Sequence, residues 1–316
     1  MIPLHTEETN KVKPIYVNIK NENAEIYLHH KDAIDKSYMR YSMEHCKKPY
    51  VGPDFESYQN QDLWRLMCLY DYRSQEGFAP TIHTDYELVN GGEWECAIRI
   101  KDTHDFHGGL HGSECYEEVS LFADGCELNI FGESQLWADK VNFYQKSNIY
   151  LQGTKDETIA VHHKWYEFAS SGVSIHQKIE WKGSFVIEKA FLAMLPIKRE
   201  SESGISITDR ARIDGLPKVY DVSRVGHELN GGEVMRNVKS AEVWGEKSGI
   251  YAKVTLLSEP SDTNTFFIQN NAMYNKIYFS YAGDGGKHIT KCGEEWEMTS
   301  HYDIYMRTPC TAAINI

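Results

Sequence analysis

The stretch from Asp102 to Gly125 contains the side chains whose types and spacing are most suited to chemistry. Its sequence, DTHDFHGGLHGSECYEEVSLFADG, places three histidines, two acids and three glycines within eleven residues. Imidazole and carboxylate groups bind divalent metals and transfer protons near neutral pH. The spacing H-x2-H-x3-H-x2-E suits neither a zinc-protease helix nor a zinc finger, and the glycines argue against a helix. We therefore predict a functional loop at the edge of a sheet, with a histidine-rich polar turn as the alternative.

Two chemical roles for this loop stay open. A divalent ion such as Zn, Ca or Mn is one expectation, and a loop without any cofactor is the other. The seven cysteines show no C-x2-C pair, so a reduced chain is the simplest interpretation, and Cys115 beside the loop is a lesser candidate for a nucleophile or ligand. The predicted metal ligands are His104, His107, His111 and Glu114.

A second group of candidates lies on two predicted strands. Ile159 to Phe168 (IAVHHKWYEF) and Val173 to Trp181 (VSIHQKIEW) both alternate, and a short polar turn joins them. Side chains two residues apart share one face of a strand. We predict that the hairpin collects two histidines, two lysines and a tyrosine on one face, with an ordinary solvated face as the alternative. These residues are His162, Lys164, Tyr166, His176 and Lys178.

Strand signals continue along most of the chain. In GGEWECAIRIKD, Trp94, Ile98 and Ile100 share one face of a strand that leads directly into the loop. Asp124-Gly125 predicts a hairpin turn, QDLWRLMCLYDY is read as a strand, and FVIEKAFLAMLPIKR is read as a strand that stops at Pro196. The segment 29–53 is expected to hold a short helix and then an irregular stretch.

This density of strands predicts an all-β chain, a large antiparallel β-sandwich or jelly roll with few short helices. Residues 1–316 have no linker of biased composition, so one domain is expected. Within this domain, residues 1–60 are the candidate for an N-terminal extension that packs on the β-sandwich. Sheet edges also make a homo-oligomer an expectation.

Composition limits the classes of function. The net charge of −13 argues against nucleic acid as the partner. No apolar run is long enough to span a membrane, and no secretory signal is evident at the amino terminus. The chain is therefore expected to be cytoplasmic, virion-associated, or secreted with its signal removed. A high content of Tyr, Phe and Trp suits sheet faces and surfaces on which sugars stack.

Several enzyme motifs are absent. The sequence has no G-x-S-x-G elbow, no P-loop and no dinucleotide-binding G-x-G-x-x-G, which argues against the corresponding hydrolases, NTPases and oxidoreductases. Glu118 and Gly125 have the spacing of a cupin motif, but the upstream H-x-H is missing. Paired carboxylates for glycoside hydrolysis remain open. The available acids are Glu93, Glu95, Glu114, Glu117 and Glu118.

The chain resembles the β-jelly-roll and β-sandwich polysaccharide lyases over roughly residues 85–200. The resemblance lies in the architecture and in the histidine, tyrosine, lysine and arginine side chains on strands beside a glycine-rich loop. SIHQKIEW echoes the Q-I-H element of those enzymes in a changed order, whereas the R-x-E-L-R pattern of the alginate-lyase jelly rolls is absent. The resemblance implies an enzyme that cleaves a uronic-acid polysaccharide by β-elimination. In that reaction the carboxylate is neutralised and a base removes the neighbouring C5 proton.

Strand phase and local composition suggest roles for individual residues in such a reaction, as hypotheses. His107 and His111, with Glu114, hold a metal or the substrate carboxylate. Tyr166 serves as base or acid, with His162 and His176 as alternative bases. The remaining contacts with the polysaccharide are assigned to Arg99, Lys164, Lys178 and Trp165.

Two other functions stay open. The first is a non-catalytic glycan-binding or virion or cell-surface adhesion protein, which would bind a glycan without forming a product. The second is a metal-dependent hydrolase built on the loop from His104 to Glu114, which purified protein would reveal by bound metal.

Overall fold

The computed structural model describes residues 13–52, 59–74, 79–80, 82–89, 92–94, 96–226, 229, 235–258, 265–282 and 288–308. Strands dominate these residues, and the 3-10 turn Gly109–His111 is the only helical element among them. Within the part of the chain that is described, no helix has the length and apolar character needed to cross a bilayer.

A large sheet of sixteen strands forms one layer. Its order is β15-β14-β16-β17-β21-β12-β11-β10-β7-β4-β3-β2-β1-β9, with β5 beside β4 and β8 beside β7. All its pairs are antiparallel except β4 with β7, which run parallel. The strands are β1 Ile15–Ile19, β2 Asn23–Leu28, β3 Ser37–Lys48, β4 Gln61–Arg73, β5 Ile82–Val89, β7 Glu114–Ala123, β8 Cys126–Leu128, β9 Ser134–Ala138, β10 Lys140–Tyr150, β11 Thr158–Ala169, β12 Gly172–Trp181, β14 Arg210–Ile213, β15 Val219–Asp221, β16 Ser240–Trp244, β17 Ile250–Leu256 and β21 Glu295–Met306.

A sheet of five strands forms the second layer. Its order is β18-β19-β13-β20, with β6 also beside β13. The strands are β6 Ala97–Ile100, β13 Val186–Lys198, β18 Thr265–Asn270, β19 Tyr274–Ala282 and β20 His288–Ile289.

One apolar core joins the two sheets. Ile175 and Ile179 on the large sheet and Leu195 and Ile277 on the small sheet are fully buried in the same cluster. Strands such as β10 and β12 alternate strictly between buried and partly exposed residues, because one face packs on the core and the other faces away from it. The predicted fold class, a large antiparallel β-sandwich with few helices, is confirmed.

Residues near the amino terminus are part of the large sheet. The short helix expected within residues 29–53 is wrong, because Ser37–Lys48 forms β3 and pairs with β2 on one side and β4 on the other. Tertiary pairing and the burial of side chains such as Tyr41 and Met43 override the local signal there. The prediction of a single domain over residues 1–316 stays a prediction.

The strand β13 continues through Pro196 to Lys198, whereas the sequence predicts a stop at the proline. A proline cannot donate to a strand ladder and is confined to positions without a partner for its nitrogen. Beyond Phe191 the described strands pair with β13 on the β19 side alone, so Pro196 breaks no ladder.

Candidate functional site

A carboxylate buried beneath the predicted loop organises its surroundings. Glu114, the first residue of β7, is fully buried. Its Oε1 accepts a hydrogen bond from Ser147 Oγ at 2.5 Å and lies 3.1 Å from His162 Nδ1. Lys164 Nζ lies 3.2 Å from the same oxygen, outside hydrogen-bonding alignment, so that contact is mainly electrostatic. The Oε2 atom accepts the backbone N–H of Gly109 at 2.6 Å.

The charges in this buried cluster compensate one another. Burial raises the pKa of Glu114, but the ammonium of Lys164 and the contact with His162 outweigh that effect and hold the pKa below its usual range. Burial lowers the pKa of His162 despite the adjacent carboxylate. Because all three side chains are fully buried, they support the fold and the loop and do not contact a substrate.

The predicted metal set is not brought together. His104 is exposed and lines a separate cavity of about 660 Å³. Both ring nitrogens of His107 have backbone partners, since Nδ1–H donates to the Ile98 carbonyl at 3.2 Å and Nε2 accepts the Gln152 N–H at 3.1 Å. Burial lowers the pKa of His107 to about 4, in keeping with a neutral structural imidazole.

A different set of possible metal ligands lies close together. The possible ligand atoms of Cys96, Glu114 and His162 lie within 4.8 Å of one another. No other group of three such residues is this close in the described part of the chain. The ammonium of Lys164 already neutralises the carboxylate and would repel a second cation. These residues therefore do not fit a metal site. Burial raises the pKa of Cys115 to about 11, so its thiol is not a ready nucleophile.

The glycines of the loop allow a close approach between backbone and cluster. Gly108 has a φ of 87°, and a Cβ there would lie 2.6 Å from Cys96 Sγ. Gln61 Nε2 donates to the carbonyl of Gly109 at 2.7 Å, and Glu114 accepts the backbone N–H of Gly109. The turn Gly109–His111 is thus held on both sides by buried side chains.

Gly108→Ala is expected to destabilise the fold by about 1–3 kcal/mol, because alanine would be strained at positive φ and would collide with the Cys96 thiol. Urea unfolding measures this loss. Gly125→Ala is the matched control for the backbone strain, since Gly125 also has a positive φ but open space around its Cβ position. Equal losses in the two variants would contradict the packing argument.

Beside the turn, a group of charged side chains surrounds His111, and Glu93 and Asp105 are partly exposed whereas Lys276 is buried. We call it the His111 cluster; it consists of His111, Glu93, Asp105 and Lys276. His111 Nε2 lies 4.0 Å from Glu93 Oε1, and Nδ1 lies 3.9 Å from Asp105 Oδ1. Lys276 Nζ contacts Glu93 Oε2. Glu93 and Asp105 keep 31% and 26% of their side-chain surface exposed, so solvent reaches the cluster.

The environment lowers the pKa of two of these groups. Burial lowers the pKa of His111, and Arg65 adds to this while Asp105 opposes it, so the imidazole is neutral at pH 7. Burial lowers the pKa of Lys276 to about 7, whereas its contact with the Glu93 carboxylate favours the charged form. Perturbed groups that converge in this way are typical of active sites.

An aromatic platform borders the cluster on the outer face of the small sheet. The platform is defined by Phe106, Phe191, Phe267 and Tyr278. The ring of Phe106 lies 5.1 Å from His111, and the ammonium of Lys276 lies 4.6 Å from the centre of the Tyr278 ring. Arg99 lies over Phe106 at 5.9 Å and pairs with Glu188 at 3.2 Å. The predicted residues His111 and Arg99 are therefore both neighbours of Phe106.

The predicted grouping on the hairpin is wrong. Residues directly opposite each other in an antiparallel pair lie on the same face, and Trp165 pairs with His176. His162, Lys164 and Tyr166 consequently face the core and are fully or almost fully buried. His176 and Lys178 lie on the other face, with His163 and Trp165.

These positions change the expected roles. Tyr166, 1% exposed, packs against Phe143 and is not available as base or acid to a ligand. Lys164 is buried against Glu114, and Lys178 pairs with Glu295 at 2.9 Å on the outer face of the large sheet, so neither belongs to the His111 cluster. Glu95 lies outside the described residues.

Sequence reasoning missed the partners that complete the His111 cluster. Lys276 alternates with Asn275 and Ile277 along a strand, which identifies the strand face of Lys276 but not what lies against that face. In the sequence, Glu93 is only one of several acids near the loop. Nothing local indicates that β19 comes to lie beside the turn at His111.

No family model and no curated protein matches the sequence. Among solved structures, the fold is similar to a galactose 1-epimerase from Lactobacillus acidophilus NCFM, with a TM-score of 0.42 and 10% identity over 94% of this chain and 100% of that one. It is also similar to an alpha-galactosidase from Lactobacillus brevis, with a TM-score of 0.37 and 10% identity over 91% of this chain. The match spans 39% of the alpha-galactosidase chain. Likenesses this remote assign neither an activity nor a substrate.

Proposed function

We propose that this chain is a carbohydrate-active enzyme whose chemistry takes place at the His111 cluster, and that it cleaves a uronic-acid polysaccharide by β-elimination. The observation that carries the proposal is the convergence of a neutral imidazole, a lysine with a pKa near neutrality and a carboxylate in one half-buried group. General acid–base catalysis requires groups of this kind.

The surroundings of the cluster favour an anionic sugar as substrate. Half-buried rings such as Phe106 and Tyr278 offer flat faces on which a sugar ring stacks. Arg99 at the edge of the platform and Lys276 within the cluster each hold a carboxylate already, Glu188 and Glu93, and a carboxylate of the substrate would take the place of these partners. A guanidinium on one side and an ammonium on the other suit a chain of uronic acids.

The proposed reaction divides its steps between two residues. The ammonium of Lys276 pairs with the C6 carboxylate and makes the C5 proton more acidic. His111 takes this proton, the electron pair of the C5–H bond forms the C4=C5 double bond, and the C4–O bond breaks. The leaving oxygen takes the proton back from the imidazolium, so no water is consumed. Glu93 positions both residues before the substrate binds.

The test is the ultraviolet absorbance of unsaturated uronides during incubation with alginate, hyaluronan, pectate and glucuronan. We expect a rise with at least one polymer, and a loss of about 10²–10⁴-fold in rate for His111→Gln, because that variant removes the base. Lys178→Met is the matched control, since Lys178 lies on the opposite face and is expected to retain the full rate.

Other outcomes would contradict the proposal. A flat trace with every polymer, together with binding of one of them, would support a glycan-binding protein without catalysis. Release of reducing ends without any change in absorbance would indicate the metal-dependent hydrolase, whereas elimination that disappears with EDTA and returns with a divalent ion would show that the reaction requires a metal.

A further inference from the structure

A second ring-lined surface lies on the outer face of the large sheet, and the proposed reaction does not use it. We call it the outer groove. It has a volume of about 640 Å³, and its floor is formed by Tyr144, Trp165 and His176, with Thr299 at one side. Trp165 is 37% exposed, unlike the tryptophans of the core, which are at most 1% exposed.

The rings of the outer groove are held in fixed positions. His163 stacks on Trp165 with centroids 5.6 Å apart and planes 9° apart, and His176 lies 4.9 Å from Trp165 on the other side. Tyr144 and His163 are hydrogen-bonded at 3.0 Å, and His176 Nδ1 lies 2.9 Å from Thr299 Oγ1. Because these rings are already fixed, their side chains lose little conformational entropy when a flat ligand stacks on them.

The charges around the groove are already paired, which favours an uncharged ligand. Lys140 lies 2.5 Å from Glu167, which lines the groove. Lys146 pairs with Glu117 at 2.6 Å. The remaining polar groups of the lining are hydroxyls and amides, among them Ser120, Asn142 and Ser174. Rings flanked by neutral hydrogen-bonding groups are what a sugar face and its hydroxyls require.

We propose that the outer groove is a binding site for a neutral saccharide chain, separate from the His111 cluster. The main core lies between them, because the groove faces away from it on the large sheet and the cluster lies on the outer face of the small sheet. The groove binds a neutral glycan that is distinct from the uronic-acid substrate of the His111 cluster, and it performs no chemistry.

The exposed indole of Trp165 makes the proposal measurable. Acrylamide quenching of tryptophan fluorescence would be followed with cello-, xylo-, manno- and galacto-oligosaccharides, and with oligouronides for comparison. We expect at least one neutral oligosaccharide to protect the fluorescence, and Trp165→Phe to remove the protected fraction. His163→Ala is expected to weaken the binding about tenfold, through loss of the ring that stacks on Trp165. Trp244→Phe is the control and should leave protection unchanged.

Protection by oligouronides alone, or protection that survives in Trp165→Phe, would overturn the proposal, as would an absence of protection with every oligosaccharide. The measurement reads binding and requires no turnover. A failure here and a failure of the β-elimination assay are therefore distinguishable.

Discussion

Lys164→Met is expected to lower the free energy of unfolding by about 3–5 kcal/mol, because it leaves the buried carboxylate of Glu114 without its compensating charge. Methionine nearly matches the length of the aliphatic part of lysine, so the loss would report the charge and not a large cavity. Urea or thermal unfolding followed by circular dichroism measures it. The same ion pair anchors the N–H of Gly109, so loosening of the turn at His111 should accompany the loss of stability.

The control for this prediction is Lys178→Met, which breaks a partly exposed pair and should cost no more than about 1 kcal/mol. The double variant Lys164→Met with Glu114→Gln should be less destabilised than the sum of the single variants, because no unpaired charge remains. Additive losses, or a Lys164→Met variant as stable as the control, would contradict a compensated buried cluster.

The second large effect is a dependence of activity on the charge of Lys276. Because burial lowers the pKa of Lys276 to about 7, the fraction carrying a cation falls as the pH rises through neutrality, and kcat/KM on a uronic-acid polymer should fall with it. The acid limb of the pH profile, where kcat/KM falls as the pH is lowered, arises from His111, which must be neutral to accept a proton. Since burial lowers its pKa, that limb lies below the ordinary histidine value of about 6.5.

Two variants separate this effect from a structural one. Lys276→Arg keeps its charge at every pH studied, so its alkaline limb should move upward even if the maximum rate drops. Lys276→Met should lose about 10²-fold or more in kcat/KM across the profile. An alkaline limb unchanged in Lys276→Arg would show that another group titrates there, and would remove Lys276 from the mechanism.

Local signals were sufficient for the strands and turns. Alternation along β10, β11 and β12 and the Asp124-Gly125 turn are short-range patterns, because the side-chain period of a strand is two and a glycine at positive φ suits a hairpin. The loop from Asp102 was also recognisable, since its residue types are those of proton transfer. Of its histidines, however, only His111 lies in a charged cluster that solvent reaches.

Which side chains share a face of the β11–β12 hairpin depends on the pairing register of the two strands. A two-residue turn, Ser170-Ser171, makes Ala169 pair with Gly172, and this places Trp165 opposite His176. A shift of one residue would have placed His162 and Lys164 on the face of His176, which is the grouping predicted from the sequence. The length of the turn was the signal that could have corrected the assignment.

Short-range sequence patterns were enough to specify the all-β class, the course of most strands and the position of the glycine-rich loop, because each depends on neighbours a few residues apart. The tertiary structure alone brings Lys276 and His111 to the same carboxylate, Glu93, and places Lys164 beside Glu114 inside the core. Both contacts join residues distant in the chain through strand pairing and the packing of two sheets. Burial then sets the pKa values on which the proposed chemistry depends.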